Sequence, residues 1–141
     1  MIFKQTKAKA KKLLPSTEKV IHSMIADYIN MQYPSIIFLS DPSGMRLSIG
    51  LRNEVKRKRC KRYKIPDLII LQPSRNGLHG LILEVKKQGE KLYKKDGVTW
   101  VDEHVEAQAK SLYWLKELGY AASFVIGFQD AKDTIDQYLK S

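Results

Sequence analysis

Cys60 is the only cysteine in the chain, which excludes an internal disulfide; the expectation is a protein made and kept in a reducing cytoplasm. No apolar run approaches the roughly 20 residues that span a bilayer. Met1-Ile2-Phe3-Lys4 lacks the apolar stretch of a signal peptide, so a membrane is not the expected partner. Internal repeats and interdomain linkers are missing as well. Acids are scarce: 15 Asp and Glu stand against 25 Lys and Arg, a formal charge of +10. Such an excess draws a protein toward a polyanion, and with the membrane set aside a nucleic acid is the expected partner. What is present is enough for one core. A length of 141 residues and 43% hydrophobic content predict a single domain over residues 1–141, with 1–14 a basic arm.

Lysine and alanine dominate Lys4 to Lys12, the source of that arm. Pro15-Ser16-Thr17 opens a helix in which Val20, Ile21, Met24, Ile25, Tyr28 and Ile29 recur with helical period, ended at Tyr33-Pro34. Glu18 sits in its first turn beside the apolar face, where an acid by default serves the helix dipole. Ile36 to Leu39 reads as a short strand closed by the turn Asp41-Pro42-Ser43-Gly44. The next stretch is the most basic: Arg46, Arg52, Lys56, Arg57, Lys58, Arg59, Lys61, Arg62 and Lys64 are offset only by Glu54. Leu47, Leu51 and Val55 predict a helix there with one apolar stripe and a broad cationic face for nucleic-acid phosphates.

A strand over Lys64 to Gln72, the turn Pro73-Ser74-Arg75-Asn76-Gly77 and a strand over Leu78 to Lys87 predict an antiparallel hairpin. Glu90 to Asp102 carries a smaller hairpin around Lys95-Asp96-Gly97, either a flap over a groove or an ordinary exposed loop. Asp102 or Glu103 then opens a helix through Val105, Ala109, Leu112 and Leu115, stopped by Gly119. Tyr120 to Phe128 is expected to be a central, buried strand, and Ala131 to Lys140 a helix packed through Ile135 and Leu139.

Two triplets are identical, Glu54-Val55-Lys56 and Glu84-Val85-Lys86, and local geometry separates them. On a helix residues two apart do not face one another, so Glu54 and Lys56 cannot converge. On a strand they share a face, which aims Glu84 and Lys86 together while Val85 turns away. Asp67, on the preceding strand, can be brought across from Glu84. Two carboxylates so placed in apolar runs repel each other unless a cation intervenes. Magnesium takes oxygen ligands and keeps several waters, so Asp67, Glu84 and the Val85 backbone carbonyl would suffice, with Lys86 beside them for charge building on a phosphodiester.

Pro66-Asp67, the seventeen-residue step to Glu84 and the triplet Glu84-Val85-Lys86 resemble the signature of the PD-(D/E)xK nucleases. Gln108, Leu112, Trp114-Leu115 and Gly119 make the chain similar, more narrowly, to the VRR-NUC group of virus-type replication and repair nucleases, over Thr17 to Phe128. The resemblance implies an α+β fold, a restriction-endonuclease-like core in which helices flank a mixed four-stranded sheet. It implies a Mg2+- or Mn2+-dependent DNA endonuclease with Asp67 and Glu84 as metal ligands, Lys86 as the catalytic lysine, and Glu18 joining the metal shell. Gln108 matches the glutamine that orients the lysine or the nucleophilic water. A homodimer acting on branched or junction DNA is also implied. The turn at Asp41 to Gly44 lacks an asparagine common in relatives, and the segment from Gln88 to Val101 is longer than their usual loop.

Other residues stay in the background. His22 and His104 lie one turn from Glu18 and Gln108, but no second histidine at ligand spacing supports a metal role. His79 and Cys60 have no chemical partner in the sequence. Trp114 is expected to pack within its helix, and Trp100 is undecided between packing and base stacking. Two other functions fit the charge: a non-catalytic DNA-binding accessory protein, and a restriction-type enzyme that reads sequence.

Overall fold

Three isoleucines four residues apart begin the fold. The structure, a computed structural model, describes residues 17–41 and 46–140; the expected basic arm and most of the turn from Asp41 to Gly44 lie outside them. Helix α1, Glu18–Gln32, is capped by Thr17, whose side chain accepts the Val20 N–H, and it buries Ile21, Ile25 and Ile29. Each such side chain contributes about 1.5–3 kcal/mol of burial. The remaining elements in order are β1 Phe38–Ser40, α2 Ile49–Arg57, β2 Leu68–Ile70, β3 Leu81–Lys86, α3 Glu103–Glu117, β4 Ala121–Ile126 and α4 Gly127–Lys140.

The strands form one sheet in the order β1-β2-β3-β4. β1 and β2, like β2 and β3, run antiparallel, whereas β3 and β4 run parallel because α3 carries the chain back between them. This is the mixed, helix-flanked α+β sheet that was expected. Alternation along β3 divides the core. Leu81, Leu83 and Val85 join α1 and α4 in the larger cluster, and Ile82 joins Leu112 of α3 and Ala122 in a smaller one. All six residues of β3 are therefore buried.

Three expectations are corrected, and the smaller hairpin around Lys95-Asp96-Gly97 is present. β4 is the outer strand next to β3 and only Ala122 and Val125 within it are buried; its apolar run serves two helices rather than two neighbouring strands. The basic helix is short, nine residues with none buried, and Leu51 is left 58% exposed, so its apolar stripe packs into no core. β2 is only three residues long, and just before its start the Asp67 side chain takes the Val85 N–H that a longer strand would have paired. The loop after β3 is closed by a single bridge, Tyr93 to Trp100, with Asp96 accepting from Val98 and Thr99 in the turn. Trp100 rests against Phe124 of β4 at 5.8 Å, so the loop docks on the sheet.

Candidate active site

Register sets the acids. Leu68 lies opposite Leu83, so the next residues outward, Asp67 and Glu84, meet on the face that also carries Ile69 and Ile82. Period two brings Lys86 to that face. Glu84 is 1% exposed and Lys86 4%. Asp67 Oδ2 accepts the Val85 N–H at 2.7 Å. Because the N–H and C=O of a strand residue point to the same edge, the Val85 carbonyl looks the same way.

From the other side comes α3. Asp102 caps it by accepting the Val105 N–H, and its inner face passes through Val105, Gln108 and Leu112 at helical spacing. Gln108 is buried, and its Oε1 accepts a hydrogen bond from Lys86 Nζ at 2.7 Å. A buried amide needs such a partner, and here the partner is a charged donor.

Burial, then the adjacent Asp67 carboxylate, holds the Glu84 carboxyl far above the usual carboxylate range, and the opposing pull of Lys86 does not offset them. Glu18, half-buried at the start of α1, is also raised by burial, lowered by Lys86 and raised again by a hydrogen bond with Glu90. Glu90 enters where Gly89, at φ +82°, turns the chain off the end of β3. Three buried atoms have no hydrogen-bond partner among the described residues: Glu84 Oε2, Glu90 Oε2 and His22 Nε2. His22 Nε2 stands 3.8 Å from Asp67 Oδ2.

These groups line one cleft of about 470 Å3. Its centre holds four carboxylates around the buried Lys86, and its rim carries the exposed Lys19 and Lys64. Such a distribution suits a cation inside and an anion across the mouth.

The same arrangement of helices and sheet is found elsewhere. No family model and no curated protein matches the chain. A solved structure described as a VRR_NUC domain protein matches 91% of this chain and 92% of its own, with a TM-score of 0.59 at 22% identity. The chain has a VRR-NUC-like fold.

Within this VRR-NUC-like fold the anticipated residues fall into groups. Asp67, Glu84, Lys86 and Gln108 come together. Glu18 reaches the same cleft beside Glu90, and among the described residues no three His, Cys, Asp or Glu side chains already enclose a metal position. Glu18, Asp67 and Glu84 all line the cleft, together with Glu90 from the loop after β3. The pair Asp67 and Glu84 still fits magnesium or manganese: one or two carboxylates satisfy such an ion, the Val85 carbonyl faces the same edge, and Glu84 Oε2 is buried with nothing to bind.

Of the basic residues, Arg59 and Lys64 line the cleft, although Arg59 is ion-paired with Asp41 rather than free. Lys56, Lys61 and Arg62 line an adjoining depression. Arg46, Arg52, Arg57 and Lys58 line neither, and Lys58 lies 3.6 Å from Glu54. Sequence reasoning passes over Glu90 and sets His22 aside. His22 has the expected turn spacing from Glu18, but its partner is an aspartate on a strand rather than a second histidine. The only local signal for Glu90 is its place just after the glycine that ends β3. His104 is an exposed rim residue, and His79 packs edge-on to Tyr120. No helix among the described residues is long and apolar enough to cross a membrane.

Proposed function

We propose that this protein is a divalent-metal-dependent endonuclease that hydrolyses phosphodiester bonds in DNA, in the manner of PD-(D/E)xK enzymes. One observation carries the reading: a buried lysine, held by a buried glutamine, beside two carboxylates that share the face of two paired strands. Asp67, Glu84 and the Val85 carbonyl would hold Mg2+ or Mn2+, which would supply Lewis-acid charge and a more acidic water when bound. Gln108 takes one of the three Lys86 N–H groups and fixes its direction. The other two are left for a phosphate oxygen and the attacking water, where charge develops as the P–O bond forms. Low exposure of Lys86 strengthens that interaction relative to water. Lys19, Lys64 and the depression walled by Lys56, Lys61 and Arg62 hold neighbouring phosphates.

The alternative is a non-catalytic DNA-binding accessory protein with the same fold; it would leave Lys86, its Gln108 partner and the two acids beside them without a use. Selectivity for branched or junction DNA and a homodimeric state complete the proposal, supported by the VRR-NUC resemblance. The test is cleavage of duplex, single-stranded, flap and four-way DNA in Mg2+ and in Mn2+, with the oligomeric state measured alongside. Cutting is expected only with metal and to follow branch position; cutting at fixed duplex sequences would favour a restriction-type enzyme. Lys86→Ala should bind DNA as the parent does and lose cleavage roughly 100-fold or more. Full-rate cleavage by that variant would overturn the mechanism.

A further inference from the structure

Trp114 was expected inside its helix, yet it is 46% exposed. Its ring lies parallel to that of Tyr63 within 4°, centroids 6.4 Å apart. The two rings line a recess of about 310 Å3 whose apolar walls include Pro66, Ile69, Ile82 and Leu115. That volume is at the small end of ligand sites, which run from about 300 to 1,000 Å3, so it suits one ring system rather than a peptide segment.

What surrounds the recess is cationic. The adjoining depression shares Cys60, Tyr63, Lys64, Ile65 and Ser111 with it, and its remaining lining includes Lys56, Lys61, Arg62 and Lys110. Neither depression has an acid in its lining. The Arg62 guanidinium stands 5.9 Å from the Tyr63 ring centroid. Lys64 and Ile65 wall the acidic cleft as well, so recess, basic depression and cleft meet along one segment. That segment is anchored, since the Lys64 N–H donates to Ser111 Oγ at 3.0 Å on α3.

An apolar slot with aromatic walls, rimmed by cations and touching the acidic cleft, matches a nucleotide: base in the slot, phosphates on the rim. We propose that Tyr63 and Trp114 form a stacking subsite for an unpaired nucleobase of DNA, placed beside the scissile phosphate. The choice of DNA rests on the nuclease reading given above. A second copy of the chain is the poorer occupant, because two such faces would bring their lysines and arginines together.

The test is binding in the Lys86→Ala protein without divalent metal, comparing a short oligothymidylate with an abasic oligonucleotide of equal length and charge. Oligothymidylate should bind about 10-fold more tightly, since stacking of one base on an aromatic ring is of that size. It should quench Trp114 emission in a Trp100→Phe background. Trp114→Ala should lower oligothymidylate affinity about 10-fold, to the abasic level, and leave abasic binding and its salt dependence unchanged; Trp114→Phe should keep most of the preference. Should Trp114→Ala fail to fold, Tyr63→Leu, on the loop, carries the same comparison. Equal affinity for the two oligonucleotides overturns the subsite, as does equal weakening of both by Trp114→Ala, or loss of a dimer as its only effect. Base-dependent binding by a wild-type protein that never cleaves would leave the subsite standing and remove the nuclease reading, and cleavage without base preference would do the reverse.

Discussion

Replacing Glu84 by glutamine should make the metal-free protein more stable while abolishing its response to metal. The side chain is 1% exposed and keeps its shape in the variant, so packing is conserved and charge is the main change. Burial and then the Asp67 carboxylate raise the Glu84 pKa from an ordinary 4.5 to about 10. The folded protein therefore holds this proton more tightly than the unfolded chain does. Stability is greatest below the ordinary value and falls as pH rises toward the folded one. At about 1.4 kcal/mol per unit, the interval from 4.5 to pH 7 corresponds to a penalty of roughly 3–4 kcal/mol, which Glu84→Gln avoids. Urea unfolding at pH 5 and pH 8, with and without Mg2+, measures this directly. Wild type should weaken between the two pH values, Glu84→Gln should weaken less, and Mg2+ should stabilise wild type alone. A variant less stable than wild type at pH 8 without metal would refute the electrostatic account of the site.

Gln108→Ala removes the acceptor that directs Lys86 Nζ; it should cost about 1.5–3 kcal/mol in stability and lower kcat with little change in DNA affinity, as single-turnover cleavage and binding assays will show. Burial raises the Asp136 carboxyl, but hydrogen bonds from Tyr28, Tyr33 and Lys132 outweigh it and bring the pKa to about 2. The stability it contributes is present above the ordinary pKa of 3.8 and lost as pH falls through about 2. Asp136→Asn should cost about 1–2 kcal/mol at pH 7, allowing for solvent screening, and flatten the acid limb of an unfolding profile. Ile25→Ala should cost about 2–5 kcal/mol by chemical denaturation, since the side chain is buried between α1 and the sheet.

Elements whose pattern is local are legible in the sequence. Isoleucines four apart behind Thr17 specify α1 and its inner face, and Asp102 and Gly119 bracket α3 because a cap and a positive-φ stop depend only on adjacent backbone. The pairing of Glu84 with Lys86 is equally readable, as strand period is a property of the strand alone. The expectations fail where a distant segment decides. Just before β2 a side chain meets β3, and the outer place of β4 depends on which strand the α3 crossover reaches. Trp114 is exposed because the loop at Tyr63, rather than the core, lies against it.

Charge, the main helices and the face shared by Glu84 and Lys86 follow from residues that are close together in the chain. Asp67 facing Glu84, Gln108 taking the lysine, and Glu90 joining Glu18 in one cleft all depend on tertiary packing. The physical reason is range. Helical and strand periods come from backbone geometry a few residues long, whereas a cleft is made by side chains far apart in sequence, brought together by strand register and by packing of the two core clusters.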